Sequence, residues 1–267
     1  MPASSHNLKR LIDALAPYWA AEAEVVRAYF RSPKRNAQSD LLWLARQCRK
    51  EFWDGFDEAN PGLFIGPLKK LLTLAERIDR GVDRHEVLEM TEGLHAEFAH
   101  YCAFADAYDA IRGEGDPPIN PMMLRDVKSW PENEALAELR ARHIREHGEI
   151  GLRASRLTEG GYCALFSEGA KLERGSPADR AIARACRLVY DDEFGHMLKG
   201  IVGLDSERFS DEQWLLLQRL ALEQMRLRLD MRNAQFGYPV AAAEIERLKG
   251  GTAAPVPFDW AKAGLAA

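Results

Sequence analysis

Apolar residues recur every three to four positions along most of the chain, which is the spacing of one face of an α-helix. No run alternates apolar and polar residues over the length of a β-strand. The pattern predicts seven helices, over residues 7–30, 39–59, 66–80, 84–112, 133–173, 177–203 and 211–248. The predicted fold is therefore all-α, a bundle of about seven helices in a single domain over residues 1–250, followed by an irregular tail over 251–267.

The composition of the chain argues against a nucleic-acid-binding protein and against a membrane-spanning one. The chain has 267 residues, of which 46% are hydrophobic, and its 41 acidic residues outnumber its 36 basic ones, for a net charge of −5. This balance disfavours a nucleic-acid partner. No stretch approaches the roughly 20 consecutive apolar residues of a membrane span, so no membrane partner is expected. Four cysteines without a Cys-x-x-Cys pair and a poor signal sequence favour a cytoplasmic location.

Two predicted helices each carry a Glu-x-x-His motif on an otherwise apolar face. The motifs are Glu97–His100 and Glu193–His196. Residues three apart lie on adjacent turns of the same helix face, so each pair can bind one metal ion. A bound cation is one way to offset the cost of burying a carboxylate.

Glu159 is the third predicted ligand, because of its height in the bundle. The helices on either side of a turn near Gly175 form a hairpin, with Glu159 16 residues before that turn and Glu193 18 residues after it. At about 1.5 Å per residue the two carboxylates lie at nearly the same level.

A fourth carboxylate is predicted from the second helix. The line Leu44, Cys48, Glu51, Gly55 and Glu58 places two acids on one face. Glu58 is closer to the required level and is the first choice, with Glu51 behind it.

This combination of residues resembles the ferritin-like di-iron carboxylate oxygenases and oxidases, in which one Glu from each of two helices joins Glu-x-x-His from each of two others. The resemblance covers roughly residues 40–203. A second resemblance is to the heme-oxygenase-like di-iron oxidases, whose last motif is Asp-x-x-x-His. Asp192 and His196 match that motif, so Asp192 can replace or supplement Glu193 as a ligand.

The resemblance implies two iron ions, with Fe/Mn or Mn as alternatives, and O₂ as co-substrate. It further implies oxidation of a small organic substrate, with electrons from a separate donor. Tyr162 and Tyr190, each three residues from a predicted ligand, are candidate redox-active residues; the alternative for each is a buried tyrosine with a bonded hydroxyl. Gly160 and Gly161 would leave room for substrate beside the metals, and leucines of the last helix could form a homodimer face.

Two other classes of protein remain open at this point. One is a ferritin-like iron-binding or ferroxidase protein without an organic substrate. The other is a metal-free helical interaction protein whose buried acids pair with arginine. The sequence His143–His147 matches the zinc-peptidase motif His-x-x-Glu-His, but its highly charged flanks argue against a peptidase site. The arginines of residues 226–232 are interpreted as a helix surface or a partner interface.

Overall fold

The structure is a computed structural model that describes residues 5–53, 64–127 and 130–264. The described residues are all-helical and contain no strand, which confirms the predicted fold class. Their α-helices are α1 (His6–Phe30), α2 (Ala37–Trp53), α3 (Ile65–Leu74), α4 (Arg84–Ile111), α5 (Pro121–Asp126), α6 (Pro131–His147), α7 (Glu149–Glu159), α8 (Ala164–Ala170), α9 (Pro177–Gly203), α10 (Asp211–Gln235) and α11 (Ala242–Lys249). Short 3-10 turns follow α3, α8 and α9.

The predicted number of seven helices is wrong, because several predicted helices are interrupted; the described residues form eleven. The predicted helix 133–173 is divided into α6, α7 and α8. Gly148 (φ 54°) separates the first two, and Gly161 (φ 58°) and Cys163 (φ 51°) lie between the last two. A residue in this left-handed region cannot continue a right-handed helix.

The other differences are smaller. The predicted helix 211–248 is divided into α10 and α11, with Gly237 and Tyr238 at positive φ between them. The break predicted over 113–132 contains the short helix α5, and the helix predicted over 66–80 ends as a 3-10 turn. Residues 54–59 of the predicted second helix lie outside the described residues.

The chain divides into two compact units. Unit 1 comprises Met1–Arg35, Trp130–Gly169 and Val189–Ala267, and unit 2 comprises Asn36–Ser129 and Ala170–Leu188. The single domain predicted over residues 1–250 stays a prediction.

Helix α10 is the centre of unit 1, where it packs against α1, α6, α7 and α11. It begins at a capping box, in which Ser210 and Gln213 each bond the other's backbone N–H. Its buried apolar residues include Trp214, Leu217, Leu220, Ala221, Met225 and Leu229. These side chains join those of α1 in one hydrophobic core, so α10 provides the face on which the rest of unit 1 is assembled.

Helices α6 and α7 form a hairpin joined by a single glycine, Gly148. They approach so closely that a Cβ atom on Gly151 would lie 2.0 Å from the carbonyl oxygen of His143. Since backbone atoms cannot move aside cheaply, a side chain at residue 151 is incompatible with this packing.

Unit 2 is built on the antiparallel pair α2 and α4. The Trp43 and Phe104 rings lie 6.2 Å apart, and the Phe52 and Tyr101 rings lie 5.2 Å apart. Two side chains of α2 bond the backbone of α5: Arg49 donates to the Leu124 carbonyl at 2.7 Å, and Trp53 donates to the Pro121 carbonyl at 2.6 Å. These contacts hold in place the carboxyl-terminal end of α2, which carries Glu51.

No helix in the described part of the chain combines the length and the apolar character needed to cross a membrane.

Candidate metal centre

Helices α2 and α4 bring together two carboxylates and an imidazole inside unit 2. Glu51 comes from α2, and Glu97 and His100 come from α4. One ligand atom from each of these residues lies within 4.8 Å of the others. Glu51 is 4% exposed and His100 2%, whereas the Glu97 side chain is 21% exposed. The group is therefore nearly enclosed but reachable from the side of Glu97.

The helix periodicity explains why Glu51 faces inward. The buried residues of α2 are Asp40, Trp43, Leu44, Gln47, Cys48, Glu51 and Phe52, which follow the three-and-four spacing of a single face. On α4 the buried residues Leu94, His100, Tyr101, Phe104 and Ala107 follow the same spacing. A carboxylate and an imidazole thus occupy positions that would hold apolar side chains in an ordinary helix pair.

Local hydrogen bonding orients the Glu51 carboxylate. The Gln47 amide, one turn earlier on α2, donates to Oε1 of Glu51 at 2.5 Å. On α4, Nδ1 of His100 lies 3.9 Å from Oε2 of Glu97, which is too long for a hydrogen bond. These two side chains stand next to each other with space between their polar atoms.

Aromatic rings surround this end of the helix pair. Phe52 lies 5.0 Å from Phe64 and 6.4 Å from Phe98, and Phe98 lies 5.7 Å from Tyr101. Burial, with smaller contributions from neighbouring acidic groups and thiols, raises the pKa of Tyr101 to about 12. Burial next to Glu51 and Asp109 also raises the pKa of the Cys48 thiol. Both groups are neutral at physiological pH, and the low polarity around them strengthens electrostatic interactions at the cluster.

The donor set fits a divalent transition metal. Carboxylate oxygens and imidazole nitrogens are ligands for Fe(II), Mn(II) and Zn(II), and three protein ligands leave coordination positions for water or substrate. Among the described residues, no cysteine belongs to this group of ligand atoms. The residues present therefore fit an iron or manganese ion.

The structure brings together two of the predicted ligands, Glu97 and His100, with Glu51 as the third member. Glu58, the sequence-based first choice from this helix, lies outside the described residues. The signal for Glu51 was present in the sequence, since it continues the line of Leu44 and Cys48.

The remaining predicted ligands lie on α7 and α9. Glu159 is the last residue of α7, and its side chain is outside the described part of the structure. The reasoning that placed it level with Glu193 assumed an unbroken helix, and the breaks around Gly161 remove that support. On α9, Asp192 and Glu193 are half-buried, but His196 is exposed. Metal binding by these four residues stays a prediction.

The two predicted redox tyrosines both lie in aromatic stacks of unit 1. The Tyr162 ring stacks on Trp19 at 4.9 Å, and its hydroxyl accepts the backbone N–H of Asp259 at 2.9 Å. Burial raises the pKa of Tyr162. Tyr190 stacks on Phe194 at 4.9 Å. Tyr162 thus has the bonded hydroxyl of a structural tyrosine, and a redox role for either residue stays a prediction.

Unit 1 contains a second buried carboxylate, that of Glu22 on α1. It accepts hydrogen bonds from Nε of Arg228 and from Nε of Arg232, both at 2.8 Å, and all three side chains are buried. The prediction that the arginines of residues 226–232 form a surface is therefore wrong for these two. Burial raises the pKa of the Glu22 carboxyl, but the two guanidinium groups outweigh burial and lower it to about 2.

Gly161 packs directly on this ion cluster. A Cβ atom at residue 161 would lie 2.5 Å from Oε2 of Glu22 and 3.2 Å from Nε of Arg228. The expected substrate space is thus filled at Gly161 by the ion pair, although Gly160 has nothing within 4 Å of its Cβ position.

The His-x-x-Glu-His sequence belongs to another buried network of unit 1. The Gln224 amide donates to Nδ1 of His143 at 3.0 Å, and Nε2 of His143 lies 3.2 Å from Oε2 of Glu223. The Thr158 hydroxyl lies 2.5 Å from Oε1 of Gln224. Both ring nitrogens of His143 are therefore engaged in links to α10, so this motif has a structural role.

No protein-family model, curated protein or solved structure matches this chain.

Proposed function

We propose that this protein is a non-haem di-metal oxidoreductase, with iron as the preferred metal, that uses O₂ to oxidise a small organic molecule. The observation that carries the proposal is the cluster of Glu51, Glu97 and His100, whose ligand atoms lie within 4.8 Å of one another on the buried face of a helix pair. The class of reaction comes from the resemblance of the sequence to di-iron carboxylate enzymes.

Electrostatics support a cation at this cluster. Two carboxylates that approach within a few ångströms repel each other, and burial increases the cost of keeping both charged. A divalent ion bound between Glu51 and Glu97 would offset both costs. His100 would supply a neutral nitrogen donor on the same side, since it lies one turn from Glu97 on α4.

The neighbouring residues have defined roles in this proposal. The Gln47 amide holds the Glu51 carboxylate in one orientation, so the ligand is positioned before the metal binds. The rings of Phe52, Phe98 and Tyr101 limit access of water. Iron held here supplies the capacity to reduce O₂. The second ion of the pair would take ligands from Glu159, Asp192, Glu193 and His196, on sequence grounds alone.

Metal loading tests the site. The protein is incubated anaerobically with Fe(II), freed of excess metal, and analysed for iron content. We expect Glu51→Gln, Glu97→Gln and His100→Gln each to lower the iron content relative to wild type. No more than trace iron in the wild-type protein would overturn the proposal.

The chain offers a matched control on the same helix. Glu92 and His95 form a second Glu-x-x-His motif on α4, but both residues are exposed. The double variant Glu92→Gln/His95→Gln should retain the full iron content. An equal loss in this control and in the cluster variants would show that the iron is bound non-specifically.

O₂ consumption separates an enzyme from an iron store. With an electron donor and a substrate present, the iron-loaded protein should consume O₂ over many turnovers as a monomer or dimer. O₂ consumption that stops once the bound Fe(II) is oxidised, together with a cage-sized assembly, would instead identify a ferroxidase and contradict the proposed oxygenase.

A further inference from the structure

A second candidate site lies in unit 2, on the first half of α9. Arg180, Arg184 and Arg187 are spaced four and three residues apart, so they share one face of the helix. They line a cleft of about 370 Å³. Its other lining residues are Ala170, Glu173, Ala183 and Leu188. The volume is in the range of small-molecule sites.

The local charge of this region is opposite to that of the whole chain. Residues 170–188 contain five Lys and Arg against two Asp and Glu, a net of +3 in a protein whose total is −5. One of those two acids, Asp179, accepts hydrogen bonds from the backbone N–H and hydroxyl of Ser176 at the start of the helix. Three of the five cations, Arg180, Arg184 and Arg187, line the cleft.

The guanidinium groups are available to a ligand. Arg180 donates from Nη1 to the Gly175 carbonyl at 2.7 Å, which fixes one edge of its guanidinium and leaves other N–H groups. Among the described residues, no hydrogen bond or salt bridge engages Arg184 or Arg187, and both are exposed. Exposed arginines that converge on a cleft without a protein partner have their donors directed to solvent or to an anion.

The cleft also has an apolar wall. Ala170 and Ala183 are buried, whereas Leu188 is 46% exposed at the edge of the cleft. An apolar group of a ligand would cover Leu188 and be stabilised by the removal of that surface from water. The combination of cationic and apolar walls is selective for an anion that carries a hydrocarbon or aromatic part.

We propose that this cleft binds a small organic phosphate monoester. Three arginines less the carboxylate of Glu173 leave two positive charges, which match the dianionic phosphate group. Arginine forms paired hydrogen bonds with phosphate oxygens, and three guanidinium groups on successive helix turns present such pairs from one side. The organic part of the ester lies against Ala183 and Leu188. The lining residues are separate from Glu51, Glu97 and His100, so this inference does not depend on the metal site.

Titration calorimetry with phenyl phosphate tests the proposal on the full-length protein at low ionic strength. We expect saturable binding that weakens as salt is raised. The double variant Arg184→Gln/Arg187→Gln should bind at least tenfold more weakly. Arg156→Gln is the matched control, because Arg156 is an exposed helical arginine of unit 1, and it should bind as wild type does. Circular dichroism of all variants checks that helix content is unchanged.

Further ligands separate the charged and apolar contributions. Leu188→Ala should weaken binding of phenyl phosphate but leave that of inorganic phosphate unchanged. Benzoate, which has one negative charge, should bind more weakly than phenyl phosphate. Failure of wild type to bind phenyl phosphate at millimolar concentration would overturn the proposal. So would equal affinity in the wild type and the double-arginine variant, or equal losses in that variant and in Arg156→Gln.

Discussion

Two buried carboxylates, one in each compact unit, differ in the side chains gathered next to them. In unit 1, Glu22 is 0% exposed and accepts hydrogen bonds from two arginines at 2.8 Å. In unit 2, Glu51 is 4% exposed and accepts a hydrogen bond from the neutral Gln47 amide at 2.5 Å. Its other close neighbours include a second carboxylate, Glu97, and His100. The charge of Glu22 is balanced by its two arginine partners. Glu51 lies beside another carboxylate and an imidazole.

The comparison separates a stabilising use of a buried acid from a binding use. Removal of one partner from a buried ion pair leaves an uncompensated charge, so Glu22 is tied to the stability of unit 1. Two neighbouring carboxylates repel each other until a cation or a proton intervenes, so Glu51 and Glu97 form a candidate ligand set. Burial alone does not distinguish the two cases, since Glu22 is 0% and Glu51 4% exposed.

The largest expected effect is that of Glu22→Gln on stability. The substitution keeps the shape of the side chain but removes the negative charge that Arg228 and Arg232 share at Glu22. We expect a loss of about 3–5 kcal/mol in the free energy of unfolding, measured by urea denaturation at pH 7. Glu138→Gln, at an exposed position on α6, is the control and should change stability by less than about 0.5 kcal/mol. Equal stability of the two variants would show that the ion cluster contributes nothing.

Acid should remove the same stabilisation in the wild-type protein. The pKa of Glu22 is about 2 in the folded state, below its usual value of 4.5. This carboxylate therefore contributes stability above about pH 4.5, and the contribution is lost as pH falls from 4.5 towards 2. The loss is on the order of 3 kcal/mol. Urea midpoints across this range should fall less steeply for Glu22→Gln than for wild type, and parallel curves would contradict the assignment.

A smaller effect is expected for Gly161→Ala. Residue 161 has a φ of +58°, and its new Cβ atom would meet the Glu22 carboxylate, which two arginines hold in place. We expect a loss of about 1–3 kcal/mol, measured by the same denaturation experiment. Gly160→Ala provides the matched control, since Gly160 has a φ of −83° and nothing within 4 Å of its Cβ position. A larger loss of stability in Gly160→Ala than in Gly161→Ala would show that Gly160 is the constrained residue and would contradict the prediction.

The smallest effect on stability is expected for Glu51→Gln in the metal-free protein. One of two neighbouring negative charges is removed, and the Gln47 amide can still donate to the new side-chain carbonyl. The free energy of unfolding should change by less than about 1 kcal/mol. With Fe(II) added anaerobically, however, the wild type should gain thermal stability and the variant should gain less. A metal-free loss as large as that of Glu22→Gln would show that Glu51 is a structural acid too.

The parts of the fold predicted correctly from sequence depend on local signals. Helix α9 matches its predicted bounds, because Ser176 and Pro177 mark its start. Residues 84–112 match α4 to within one residue. On α4 the Glu-x-x-His spacing identified Glu97 and His100 correctly as neighbours. Periodicity is sufficient wherever a helix is uninterrupted.

The parts that could not be predicted depend on contacts distant in sequence or on backbone geometry. Arg228 was assigned to a surface because its partner Glu22 lies 206 residues away. A glycine inside an apolar period is compatible with a continuous helix, so nothing local indicated that Gly148 would reverse the chain between α6 and α7. The level assigned to Glu159 then rested on a helix that is not continuous.

The most direct test of the metal site is an anomalous difference map, measured at the iron edge on crystals grown after anaerobic Fe(II) loading. We expect an iron peak within coordination distance of the side-chain oxygens of Glu51 and Glu97 and of a ring nitrogen of His100. The same map for Glu51→Gln should show a weaker peak at this position. Iron peaks only at other positions, or none in loaded crystals, would contradict the assignment of this cluster as the metal site.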